Sequence, residues 1–209
     1  MIPPNRINES EGQLWKKRKW IAASEEPSVS CVWPRSEALT TLMMEKDINK
    51  ITVHEIAELA DVNRGTFYSH YKDVGDLLNR LEEGVFTSLT EVSRKYRPEI
   101  PGGDAFHFIL ELLTLVDENA DICKALMCNN GDMHFKHRLF LVLKDEYFRK
   151  FLIARYPAEE NRLEYFCTYL VSGILSVTRD WLCSSQNEPP IEIAYICADF
   201  IMKGVAALK

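Results

Sequence analysis

The sequence predicts an all-α protein, a compact head of short helices followed by a larger helical body. Three observations predict it. Apolar residues recur at three- and four-residue spacing through almost everything after residue 34. Helix-breaking residues interrupt that pattern at Pro98, Pro101-Gly102-Gly103, Asn129-Asn130-Gly131, Pro157 and Pro189-Pro190. No stretch of useful length alternates polar and apolar residues as a half-buried strand does.

The breaks place helices at about 35–46, 53–60, 64–71, 74–96, 104–118, 120–128, 132–155, 159–184 and 190–207. The first three are short. Helix 74–96 is long enough to belong to both parts and is the expected hinge. The chain thus divides into a leader (1–32), a head (33–81) and a body (82–209). The leader carries Trp15-Lys16-Lys17-Arg18-Lys19-Trp20 and then a Ser/Glu/Pro stretch. It reads either as a loosely docked or disordered segment or as a basic arm for nucleic-acid phosphate or a minor groove.

Composition narrows the function classes. A hydrophobic content of 46% in 209 residues supports a sizeable core. No run of ~20 apolar residues suggests a membrane span, and MIPPNRINES has no apolar signal core, so a cytoplasmic location is expected. None of the six cysteines falls in a C-x-x-C pair, and the expectation is reduced, mostly buried thiols. His134 and His137 are half of a metal-ligand spacing with no supporting Cys or carboxylate, so no metal is expected. Nucleophile elbows, metalloprotease patterns and glycine-rich phosphate loops are missing, so neither catalytic residues nor cofactors are expected. The net charge of −6 argues against a non-specific nucleic-acid coater. It leaves room for a small basic reading surface.

That surface is legible at residues 52–72. Thr52 followed three residues later by Glu55 is a capping box and starts a helix at Val53. Val53, Ile56, Ala57 and Ala60 form its narrow apolar stripe. Asn63 is a good N-cap for a second short helix, Val62 can plug the space between the two, and Asp73 caps the helix after them. Two short helices joined by a tight turn form a helix-turn-helix. Phe67 and Tyr71 share a face and anchor the second helix. Arg64 and Thr66 lie in its first turn, the end that approaches base edges. Arg64 can fork onto guanine O6 and N7, and Gly65 allows close backbone approach. Thr66, Tyr68, His70 and Lys72 are donors suited to phosphate oxygens.

Val53-x-x-Ile56-Ala57-x-x-Ala60-x-Val62-Asn63-Arg64-Gly65-Thr66-Phe67-Tyr68-x-His70-Tyr71 resembles the N-terminal signature of the TetR family, over about residues 37–81. The resemblance implies a three-helix DNA-binding head, a helical ligand-binding and dimerisation body, and homodimers on palindromic double-stranded operators. It implies that Thr52, His54, Arg64, Gly65, Thr66, Tyr68, His70 and Lys72 face DNA while Phe67 and Tyr71 hold the recognition helix. The chain has Asp61 where the family often has Gly, and Val74 where Lys is common. Segments 109–151, with Asn119, Leu126 and Asn130-Gly131-Asp132, and 165–184, with Tyr165, Tyr169, Ser172-Gly173 and Asp180-Trp181, resemble the body of a Firmicutes-type subgroup.

In the body, a cavity for a small apolar or aromatic effector is expected among Phe108, Leu112, Met127, Phe140, Leu143, Tyr147, Phe166 and Tyr169. A dimer seam is expected at Ser172, Gly173, Ile174, Val177, Ile196, Phe200, Ile201 and Val205, building a four-helix bundle with a second subunit. The reading is a transcriptional regulator, a repressor released by its effector. Residues 35–80 carry six Lys/Arg against eight Asp/Glu. This acidic balance motivates the alternative of a protein that keeps the fold but binds DNA weakly and acts through protein partners.

Overall fold

The computed structural model describes residues 33–96, 105–128, 133–155, 159–184 and 188–205. The leader, its basic cluster and Asn130-Gly131-Asp132 lie outside them. Helices α1 (Trp33–Glu45), α2 (Val53–Leu59) and α3 (Arg64–Tyr68) form the head. The body follows as α4 (Val74–Lys95), α5 (Ala105–Glu118), α6 (Ala120–Met127), α7 (Met133–Leu141), α8 (Arg149–Arg155), α9 (Glu160–Cys183) and α10 (Pro190–Val205). No strand occurs among the described residues.

Side-chain caps open several of these helices. Asp47 caps a single 3-10 turn, Ile48–Lys50, by accepting from the Asn49 N–H at 2.8 Å. The Asp73 carboxylate accepts from the Asp76 N–H at 2.8 Å and opens α4. Each such cap satisfies a backbone donor that the helix itself leaves unpaired and contributes about 1 kcal/mol.

Helix α4 ties the two parts together. Its 22 residues span about 33 Å at the α-helical rise. Leu77, Leu78 and Leu81 are buried near its start, and Val85, Phe86, Leu89 and Val92 farther along. Both sets belong to one continuous core with the head residues Leu39, Ile56 and Phe67. Elsewhere α1 packs on α6, α6 also meets α9, and α5 lies along α10. Burial of each large apolar side chain is worth roughly 1.5–3 kcal/mol, so the shared core makes α4 a stiff lever.

Two features depart from the sequence reading. Residues 133–155 are not one regular helix: Val142–Phe148 widens into a π-type turn, with the Arg149 N–H donating to the Lys144 carbonyl. The wider turn lets the adjacent Tyr147 and Phe148 both enter the core. The expectation of reduced thiols is corrected at one pair, since Cys128 and Cys183 form a disulfide. Folding brings the ends of α6 and α9 together, with the two Cα atoms 6.3 Å apart. Cys123, Cys167 and Cys197 are free and buried; Cys31 lies outside the described residues.

Candidate DNA-reading head and effector cavity

The head begins with the capping box. The Thr52 Oγ1 accepts from the Glu55 N–H at 3.3 Å, and Glu55 Oε2 accepts from the Thr52 N–H at 3.0 Å. Lys46 forms an ion pair with the same carboxylate. The Lys46 hydrogen bond, then those from the Thr52 hydroxyl and backbone, hold the Glu55 carboxyl down at about 2. Thr52 and His54 stand exposed at the N-terminus of α2, although the Thr52 hydroxyl is engaged in the cap.

The turn into α3 requires a left-handed residue. Asp61 occupies it with φ 51°, a conformation that glycine adopts without cost and Asp tolerates better than most residues. The backbone then reverses, with the Val62 N–H donating to the Ala57 carbonyl at 2.9 Å. Asn63 Oδ1 accepts from the Gly65 N–H at 2.8 Å and starts α3.

Helix α3 has only five residues, too short to persist unaided. Phe67 and Tyr71 hold it. Phe67 is 0% exposed, and Tyr71 is buried with its ring 5.4 Å from that of Phe67. The Arg80 guanidinium lies over Tyr71 at 5.0 Å. On the outer side Arg64, Gly65, Thr66, Tyr68 and Lys72 are exposed, and His70 is half-buried. The eight residues expected to face DNA therefore lie at the N-terminus of α2, on α3 and in the turn just after it.

Electrostatics within the head favour that surface. Asp47, Glu55, Asp73 and Asp76 are occupied by caps or ion pairs, Asp76 accepting from the Lys72 N–H at 3.1 Å and pairing with Arg80. Among the described residues, Arg64 and Lys72 make no side-chain ion pair. These ion pairs engage Lys46 and Arg80 and leave the side chains of Arg64 and Lys72 outside them, without changing the net charge of the head.

The body contains a cavity of about 60 Å³ lined by Val85 and Leu89 of α4, Ile109, Leu112, Leu113, Leu115 and Val116 of α5, Cys123 and Met127 of α6, Phe135 and Leu139 of α7, Leu143, and Ile174, Leu175 and Thr178 of α9. Of the expected lining set, Leu112, Met127 and Leu143 reach it. The other five do not. Phe108 and Tyr147 stack on each other in the core. Phe140 lies beneath Lys144, Phe166 abuts Gly204, and Tyr169 is 77% exposed. Large rings fill space here, and branched aliphatic side chains leave the gap.

Beside the cavity runs a surface groove of about 210 Å³ lined by Lys136, Ser172, Ser176 and Arg179 together with Met127, Leu139 and Leu175. The last three border both spaces. His134 and His137 are exposed, and no cluster among the described residues could hold a metal ion. Nor is any described helix long and apolar enough to cross a membrane.

The expected dimer seam divides in two. Ser172, Gly173, Ile196 and Phe200 are exposed, the last by 63%. Ile174, Ile201 and Val205 are buried in the subunit's own core, and Val177 packs against that core. Ile174, Ile201 and Val205 are corrected from seam to core because they occupy the inward stripes of α9 and α10; Val177 is half-buried. The outward face instead carries Tyr165, Tyr169, Tyr195, Ile196, Phe200 and Met202. Large apolar side chains exposed on two helices that pack on each other make this a candidate interaction surface.

Residues 37–81 match the family model "Bacterial regulatory proteins, tetR family", and residues 103–203 match "Transcriptional regulator C-terminal region". The uncharacterized HTH-type transcriptional regulator YxbF of Bacillus subtilis is 31% identical over 128 residues, covering 56% of this chain and 30% of that protein. The HTH-type transcriptional regulator AcrR of Shigella flexneri is 31% identical over 78 residues, 37% of this chain and 36% of that one. The matched segments span about a third of the length of these curated relatives. Among solved structures, NalD, the secondary repressor of a multidrug efflux pump in Pseudomonas aeruginosa, superposes with a TM-score of 0.64 at 18% identity, covering 85% of this chain and 97% of its own. A TetR transcriptional regulator from Streptococcus agalactiae gives 0.57 at 23% identity, covering 82% and 93%. These two likenesses are of fold. The matched families are regulators rather than enzymes. With the head and most of the body each matched in its own register, the chain belongs to the TetR family of bacterial regulatory proteins.

Proposed function

We propose that this protein is a homodimeric, sequence-specific DNA-binding transcriptional repressor, acting in the cytoplasm and released from a palindromic operator by a small molecule held in its body. Residues 33–81 are the DNA-binding domain and residues 82–209 the effector and dimerisation domain. The observation that carries the reading is the outer face of α3 and the turn after it, where Arg64, Thr66 and Tyr68 project from a helix fixed by buried Phe67 and Tyr71 and exposed Lys72 follows. Lys72 and Thr66 contact phosphate, and Arg64 reads a base pair. Tyr165, Tyr169, Ile196, Phe200 and Met202 meet the second subunit.

The effector site supports the release mechanism. Val85 and Leu89 line the cavity on the same helix whose Leu77 and Leu81 sit in the core that holds the head. An occupant that favours one position of α4 shifts the separation of the two heads. The cavity is smaller than the ~150 Å³ that admits benzene, so it takes a short aliphatic group. Lys136 in the adjoining groove suits a polar or anionic end, while Arg179 beside it is paired with Asp180.

Selection from a random duplex pool, followed by gel shift, tests the reading. An inverted repeat with half-sites about 34–36 Å apart is expected. Arg64→Ala with Tyr68→Phe lowers affinity for it by about 5- to 150-fold per half-site, from the ~1–3 kcal/mol of one bidentate base contact. Unchanged affinity shows that α3 is not the reading helix.

A further inference from the structure

The Cys128–Cys183 disulfide joins residues 55 positions apart, and its two ends differ. Cys128 caps the C-terminus of α6, is buried, and donates its N–H to the Lys124 carbonyl at 2.9 Å. Cys183 ends α9 and is exposed. Helix α6 is the body element on which α1 of the head packs, and its Cys123 and Met127 line the cavity. The bond therefore fixes the helix that touches both head and cavity to the helix that carries the outward apolar face.

The remaining described cysteines lack this access. Cys123, Cys167 and Cys197 are buried. Burial pushes their thiols up to about 12, 11 and 11, so they stay protonated and unreactive.

We propose that Cys128 and Cys183 form a reversible thiol–disulfide site, oxidised by low-molecular-weight disulfides, that sets how freely α6 moves between head and cavity. Its effect on DNA affinity rests on the reading of the protein as a DNA-binding regulator; the chemistry and the clamping of α6 do not. In the reduced protein the exposed Cys183 thiolate attacks one sulfur of a small disulfide. The disulfide's S–S bond breaks, one thiolate leaves, and a mixed disulfide forms on Cys183. The Cys128 thiolate then attacks the Cys183 sulfur, closing the internal bond and expelling the second small thiolate. Two protein thiols lose two protons and two electrons, and the small disulfide is reduced to two thiols. Excess small thiol drives the reverse sequence.

The test equilibrates the full-length protein at a series of reduced-to-oxidised glutathione ratios. Trapping with an alkylating label and peptide mapping under non-reducing conditions then identify the bonded cysteines. Cys128 and Cys183 are expected to lose label together and appear as one cross-linked peptide pair. Amide exchange in residues 33–45 and 120–128 slows at least threefold in the oxidised form. Operator affinity differs between the two forms by about 5- to 150-fold, the usual range of site-to-site coupling. C183S, at an exposed position, and C128S, near-isosteric, both hold the protein in its reduced behaviour. A cross-link between two subunits, no Cys128–Cys183 peptide, or identical exchange in both forms overturns the proposal. If exchange responds but neither form binds DNA, the redox site stands and the DNA-binding reading fails.

Discussion

Phe67→Ala separates the two jobs that the head performs. Phe67 touches no position where DNA would lie, yet it is fully buried and packs edge-on to Tyr68 at 5.7 Å and tilted to Tyr71 at 5.4 Å. Truncating a buried Phe costs about 3–5 kcal/mol through lost burial and the cavity left behind. A domain's whole stability is about 5–15 kcal/mol. The loss falls on a five-residue helix with no intrinsic stability of its own, so α3 frays before the body unfolds. In urea unfolding followed by far-UV dichroism, the transition moves to lower denaturant. In gel shifts, operator binding falls by at least an order of magnitude though every side chain proposed to face DNA is present. Phe67→Leu, which keeps most of the volume, recovers most of both. If Phe67→Ala costs less than 1 kcal/mol and leaves DNA binding within twofold, buried anchoring is not what positions α3.

Two further outcomes test local chemistry. The Glu55 carboxyl is held near 2 against an ordinary 4.5, so its stabilisation is complete above about pH 4.5 and is lost as pH falls toward 2. Thermal unfolding between pH 6 and pH 2.5 falls more steeply for the parent than for Glu55→Gln; parallel curves disprove the assignment. Asp61 sits at φ 51°, so Asp61→Gly is neutral or slightly stabilising, whereas Asp61→Val loses about 1–2 kcal/mol because a β-branched residue resists that region. Equal stability of the two variants in urea contradicts a left-handed turn.

The parts of this structure governed by neighbours in sequence were legible before the fold was known. Thr52 with Glu55, Asn63 with Gly65 and Asp73 with Asp76 are contacts across two or three residues, and the chemistry of capping is written in the residue types. The family's preference for glycine at the turn acquires a cause in the backbone of Asp61. The parts that depend on distant packing were not legible. Phe108 and Tyr147 suggested a pocket by their size, but three-dimensional packing turned them into filler and left the gap mainly among Leu, Ile and Val of four helices and Leu143. Ile174, Ile201 and Val205 follow the same helical period as a dimer seam, and only the placement of α9 and α10 shows which stripe faces inward. Lys136 became a candidate only when α7 and α9 met at a groove. The Cys128–Cys183 bond had no spacing signal at all, because its partners lie on helices that meet only in the folded chain.

The central claim is that α3 reads DNA through Arg64 while Lys72 anchors it to phosphate. Salt-titrated gel shifts on the selected operator and on variants of it, for Arg64→Ala and Lys72→Ala, test it most directly. Lys72→Ala is expected to weaken all sequences alike and reduce the slope of log affinity against log salt by about 0.9 per subunit, roughly 1.8 for a dimer. Arg64→Ala is expected to keep most of that slope and to lose discrimination at one base pair in each half-site. If neither variant changes the slope or the discrimination, this surface does not face DNA.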